Sequence, residues 1–94
     1  MLIAIATIHA QPAHADALAL LLAELAAASR AEPGCSAYRV FRSSQDRAVF
    51  TTFEQWASAA AEAQHMISSH VAEAFHKAGP WLAAAPEIRH FEEI

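Results

Sequence analysis

His65 and His70 stand five positions apart in a stretch otherwise built of Ala, Ser, Gln, Met and Ile, and the aromatic residues Tyr38, Phe50, Phe53, Trp56 and Trp81 lie within reach in a chain this short. A neutral imidazole accepts a proton near neutral pH, so a His beside an apolar pocket suits removal of a proton from a phenol or an enol. Aromatic rings line such pockets and stack on flat ligands. His65 and His70 are therefore the candidate catalytic residues, and Tyr38, Phe50, Phe53, Trp56 and Trp81 the candidate substrate-binding residues. Each also has a plain structural use. Aromatics fill small cores, His65 can bond a backbone carbonyl at a helix end, and His70 can open a surface helix.

The six histidines also raise the question of a metal. On one continuous helix His65 and His70 diverge by about 140°, and the i, i+4 spacing of a helical zinc pair is absent. A helix break at Ser68-Ser69 brings them closer, yet no third ligand stands at a fixed spacing, and His9, His14, His76 and His90 are scattered. Zinc asks for three or four converging ligands, so the sequence predicts no metal. Glu54, at a strand end, reads either as a base or as a partner for Arg39 or Arg89 that fixes strand register. Cys35 has no basic neighbour to lower its pKa and reads as a small apolar group. Only Gly34 and Gly79 are glycines, so no Gly-rich phosphate loop is present and no flavin, nicotinamide or other cofactor is expected.

The elements that must position these residues follow from periodicity. Leu2 to His9 is a short apolar run and reads as a strand. Pro12 and Asp16 suit the start of a helix over 13–31, with Leu18, Leu21, Leu22 and Leu25 on one face. Glu32-Pro33-Gly34 stops it. Residues 35–42 and 48–54 favour strands joined by a polar hairpin loop at 43–47. Residues 58–65 read as a helix, and Ser68 and Ser69 cap a second one through residue 77. Gly79-Pro80 ends that helix, and 87–94 reads as a last strand. The order β-α-β-β-α-β, with the second helix in two pieces, predicts one α+β domain over 1–94. It is a ferredoxin-like sandwich with an antiparallel four-stranded sheet and helices on one face.

Composition bounds the partners. Hydrophobic residues make up 55% of the chain and charged ones 17%, more apolar surface than one small core requires. Apolar residues also fall on both parities of the strand pair at 35–54, so both sheet faces are predicted to be covered, the helix-free one by a second copy. Phe41 and Phe50 are the candidates for that face, although parity is not fixed by the pattern. A net charge of −4 and a pI near 5.8 give no footprint for nucleic acid. No run approaches the roughly 20 apolar residues that span a bilayer. The N-terminal residues lack a basic region and cleavage site, and the single Cys fits a reducing cytoplasm.

The stretch FEQWASAAAEAQHMISSHVAEAF carries a more specific pattern. Glu-x-Trp ends a strand, an Ala-rich helix follows, and then come His, a Ser-containing turn and a second His. Glu54, Trp56, Ala60, His65, Ser68, His70 and Phe75 fall at the spacing of the antibiotic biosynthesis monooxygenase (ABM) family, and Glu32-Pro33-Gly34-Cys35 is similar to its link between first helix and second strand. The resemblance covers nearly the whole chain. It implies a homodimeric α+β barrel with a small pocket in each subunit, and a cofactor-independent monooxygenase in which a deprotonated quinol or similar electron-rich phenol supplies the electrons to dioxygen. Isomerisation of a small carbonyl compound, or ligand binding without turnover, are the alternatives. The Asn that haem-degrading and polycyclic-phenol-oxidising relatives use is missing, because the chain contains no Asn, and His65 stands roughly where the haem-degrading members have Trp.

Overall fold

The computed structural model describes all 94 residues. Strand β1 (Leu2–His9), helix α1 (Ala15–Arg30), strands β2 (Cys35–Arg42) and β3 (Val49–Trp56), helices α2 (Ala59–Met66) and α3 (Ser69–Ala78) and strand β4 (Glu87–Phe91) follow in that order. The strands form one antiparallel sheet in the order β2-β3-β1-β4. This is the ferredoxin-like α+β fold that the order of elements predicts. No helix is long and apolar enough to cross a membrane.

Three boundaries differ from expectation. Pro12–His14 forms a separate 3-10 turn, so α1 begins at Ala15. Strand β3 runs two residues further than the β-branched pattern suggests, because Trp56 is fully buried and pairs with both Leu2 and Cys35. Strand β4 stops at Phe91, where its pairing with Ile3 ends.

Helix α1 presents Leu18, Leu21, Leu22, Ala26 and Ser29 inward, the i, i+3, i+4 rhythm of a helix lying on a sheet. Its first turn is tied to β2 through Arg42, which donates to the Ala15 carbonyl (3.1 Å) and to Asp16 (3.2 Å). Its last turn is held by Arg30, whose Nε donates to the Tyr38 carbonyl (3.0 Å). On β3 the buried residues are Phe50, Thr52, Glu54 and Trp56, while Val49, Thr51, Phe53 and Gln55 take the other face. That settles the parity. Phe50 faces the helices and packs with Ile8, Leu18 and Leu22. The pairings of Phe41 with Thr51 and of Ile3 with Phe91 place Ile3, Phe41, Phe53 and Phe91 on the helix-free face instead. Of the two phenylalanines considered for that face, only Phe41 lies there, and it is 44% exposed.

Candidate functional site

The site is assembled by two chain reversals. The first is the turn after α1. Gly34 has φ +83°, a left-handed conformation open to glycine, and its carbonyl accepts from Ala57 N–H (2.7 Å). A Cβ at Gly34 would lie 2.7 Å from Ala61 Cβ, so the turn presses directly against α2. Glu32, two residues earlier, is thereby carried to the far end of α2.

The second reversal is the break between α2 and α3. Ser58 caps α2 by accepting from Ala61 N–H (3.1 Å). The helix ends at Met66, and Ser68 takes an extended conformation before α3 begins. Ser68 was expected to cap α3 through its side chain, but its hydroxyl turns back and donates to the His65 carbonyl (2.6 Å). The break removes the divergence that a continuous helix would give His65 and His70. Both imidazoles now reach one oxygen of Glu32: His65 Nδ1 is 2.6 Å and His70 Nε2 2.9 Å from Oε2. The sequence shows no third group beside the two histidines, whereas the fold supplies Glu32.

His65 is 3% exposed, and its ring packs against Trp56 (4.7 Å between centroids), Tyr38 (5.5 Å) and His70 (5.9 Å). A carboxylate only accepts, so the Glu32 contact places the proton of neutral His65 on Nδ1 and leaves the lone pair on Nε2. Beside it lies a second buried carboxylate. Glu54 accepts from Thr52 Oγ1 (2.8 Å) through one oxygen and from Trp56 Nε1 (3.0 Å) through the other, while Thr52 Oγ1 itself accepts from Ala6 N–H (3.1 Å). These bonds offset the desolvation of a carboxylate in the interior. Neither arginine considered for Glu54 pairs with it. Arg39 lies over the Phe41 ring and Arg89 pairs with Glu87, both on residues of the opposite sheet parity. Burial pushes the Tyr38 phenol well above the ordinary tyrosine range, and the Glu54 carboxylate adds to the shift, so Tyr38 stays neutral. Burial likewise raises the Cys35 thiol, against a lowering backbone hydrogen bond at Ala37 and with Glu32 and Glu54 adding to the rise; Cys35 is no activated nucleophile.

These polar groups border a cavity between the sheet and the helices. Fourteen of its nineteen lining residues are hydrophobic, among them Ala6, Ile8, Leu18, Leu21, Leu22, Leu25, Val71 and Ala74, and the polar ones include Tyr38, Thr52, Glu54, Glu62 and His65. Met66, Phe75 and Ile88, each about 40% exposed, also line it and mark its solvent side. Of the residues singled out for chemistry from sequence, His65, Tyr38 and Glu54 line the cavity. The others do not. Phe50 is 2% exposed within the core, Phe53 sits on the helix-free face, and Trp56 is fully buried behind His65. Trp81 stacks on His14 at 6.2 Å, and His70 borders a separate surface depression with Glu73 and Lys77. The cavity wall is thus mostly aliphatic. Glu32 carried no signal beyond its place in a helix-stopping turn, because it lies 33 residues from His65 in sequence.

A sheet of this topology, a broken second helix and an inward histidine define a small α+β domain with an apolar cavity between sheet and helices. The amino-acid sequence matches the family model described as Antibiotic biosynthesis monooxygenase over residues 1–77, and the chain belongs to that family. Its fold is shared by PA3566 from Pseudomonas aeruginosa, at 34% identity and TM-score 0.93 over 99% of this chain and 93% of that one. Rv0793 from Mycobacterium tuberculosis superimposes with TM-score 0.91 at 25% identity, over 99% of this chain and 94% of its own. A solved antibiotic biosynthesis monooxygenase aligns over 100% of this chain and 99% of its own, at 26% identity and TM-score 0.94. Among curated proteins, none matches the chain.

Proposed function

We propose that the chain is a cofactor-independent monooxygenase of a quinol or similar electron-rich phenol, with His65 as the proton acceptor and Glu32 as the residue that positions it. The observation that carries this reading is the 2.6 Å contact between His65 Nδ1 and Glu32 beside an apolar cavity that His65 lines. It leaves Nε2 as the basic atom. The substrate hydroxyl gives its proton to Nε2, and Glu32 stabilises the imidazolium that forms. The aliphatic wall keeps water from the anion. Dioxygen forms a carbon–oxygen bond with the anion. The O–O bond then breaks, one oxygen stays on the ring, the other takes the imidazolium's proton and the proton of the attacked ring carbon and leaves as water, and the quinol becomes a hydroxyquinone. All the electrons come from the substrate. Glu54 is held by two donors and supports the pocket wall; it takes no proton.

Membership of a family described as monooxygenases supports the reaction type, and the neutral Tyr38 ring offers one aromatic surface for a flat substrate. The test is dioxygen consumption with a panel of quinols. Wild type is expected to consume dioxygen with at least one of them, and His65→Ala to slow it by about 10²-fold or more. No uptake above buffer with any quinol, or an unchanged rate in His65→Ala, overturns the reading. Turnover of a carbonyl compound without dioxygen would assign the same base to an isomerase.

A further inference from the structure

We propose that Glu32, His65 and His70 form a binding site for one divalent first-row transition-metal ion, and that occupancy of this site switches the His65 base off. The three donor atoms lie within 4.8 Å of one another, with Glu32 Oε2 2.6 Å from His65 Nδ1 and 2.9 Å from His70 Nε2. Ligand atoms bonded at about 2.1 Å to a common ion stand about 3.0–3.4 Å apart, so the carboxylate oxygen draws back from each imidazole by a fraction of an ångström while the two imidazole nitrogens, within 4.8 Å of each other, swing together around the ion. Two imidazoles and one carboxylate suit zinc, cobalt or nickel rather than calcium or magnesium, which take oxygen ligands. Three protein ligands also leave an open coordination position.

The surroundings hold the ligands in place. Ser68 pins the helix break by donating to the His65 carbonyl and lies 3.3 Å from His70 Nε2, while Trp56 and Tyr38 supply an apolar shell on the other side of His65. The ion has a route in, because the His70 side chain is 28% exposed and borders the surface depression shared with Glu73 and Lys77. The other His–carboxylate contact, His90 with Glu62, brings only two residues together and makes no such site.

The effect on the base follows from the tautomer and rests on the function proposed above. A neutral imidazole that gives its Nδ1 lone pair to a metal carries its proton on Nε2. His65 Nε2 then becomes a donor and no longer takes a proton from a phenol.

The experiment is a titration of the chelator-treated chain with Co²⁺, followed by visible absorption, and with Zn²⁺, followed by calorimetry. One ion per chain is expected. His70→Ala and Glu32→Gln, with folding checked by circular dichroism, should each weaken binding by about tenfold or more, and His90→Ala should bind as wild type. Wild-type affinity weaker than on the order of 100 μM, or equal affinity in folded His70→Ala, overturns the site. Binding is read without turnover, so a chain that binds Co²⁺ but oxidises no quinol keeps the site and loses the function. Full oxidase activity with the site saturated in Zn²⁺ removes the switch.

Discussion

Tyr38 is the only tyrosine in the chain and is 3% exposed, so its titration is a clean report on the polar end of the cavity. Burial and the neighbouring Glu54 carboxylate raise its pKa in the folded state above the ordinary value of 10.0. The fold therefore favours the protonated phenol. That contribution to stability is fully present below pH 10 and is lost as the pH climbs above it toward the raised folded value. The phenolate ultraviolet band is expected to grow only in step with the loss of helical circular dichroism at alkaline pH. A phenolate forming in the folded chain at an ordinary tyrosine pH would contradict the buried placement. Glu32→Gln is expected to lower kcat for quinol oxidation by on the order of 10²-fold while KM changes little, because the Gln amide no longer stabilises an imidazolium and touches no substrate; dioxygen uptake against substrate concentration measures the split. At this scale the sequence revealed the histidines, whose type alone suggests proton transfer, but not the carboxylate. Glu32 reads as part of a helix stop, and only the turn at Gly34 brings it to the histidines. Four of the five aromatics were legible as apolar yet not as wall or core, since Phe50, Trp56 and Trp81 pack among other side chains and Phe53 points away from the helices.

The elements were more legible than the contacts between them. Pro12, Pro33-Gly34 and Gly79-Pro80 punctuate the helices, and Ile-rich or Phe- and Val-rich runs mark the strands, so element order follows from local signals. What local signals leave open is parity. Strand β3 carries apolar residues on both faces, and the sequence alone did not tell whether Phe50 or Phe53 points toward α1. The fold decides it, because Phe50, Thr52 and Glu54 share the parity of buried Trp56. The helix break is also an element-scale device. It was visible as paired serines, although the serine works by bonding back to His65 rather than by capping α3. The turn that delivers Glu32 gives the sharpest prediction here. Gly34→Ala combines a left-handed φ with a Cβ 2.7 Å from Ala61 Cβ and is expected to destabilise the chain by about 1–3 kcal/mol, read by denaturant unfolding. Gly79→Ala, with nothing within 4 Å of the added carbon, serves as the comparison and is expected to change stability far less.

Seen whole, the molecule has one helix-covered face of the sheet and one bare one. Ile3, Phe41, Phe53 and Phe91 crowd the bare face, with Arg39 lying over the Phe41 ring at 5.1 Å. Every residue of β4 is exposed in the single chain, Phe91 at 47%. A second copy of the chain is the cover we propose for this face. Light scattering is expected to give twice the 10.1 kDa chain mass, and Phe41→Asp to shift it toward one chain and lower the thermal midpoint. A stably folded monomer at every concentration would contradict the pairing. The cavity is a property of this scale too, since α1, the α2–α3 pair and the inner face of the sheet each supply part of its wall. Its chemistry rests on what a bound phenol meets there. The most direct measurement is the crystal structure of the chain with an electron-rich quinol, grown without dioxygen so that the ligand survives intact. The ring should lie among Leu21, Leu22 and Tyr38, with a hydroxyl oxygen about 3 Å from His65 Nε2. A quinol bound outside the cavity, or inside it with no hydroxyl near that nitrogen, would contradict the account.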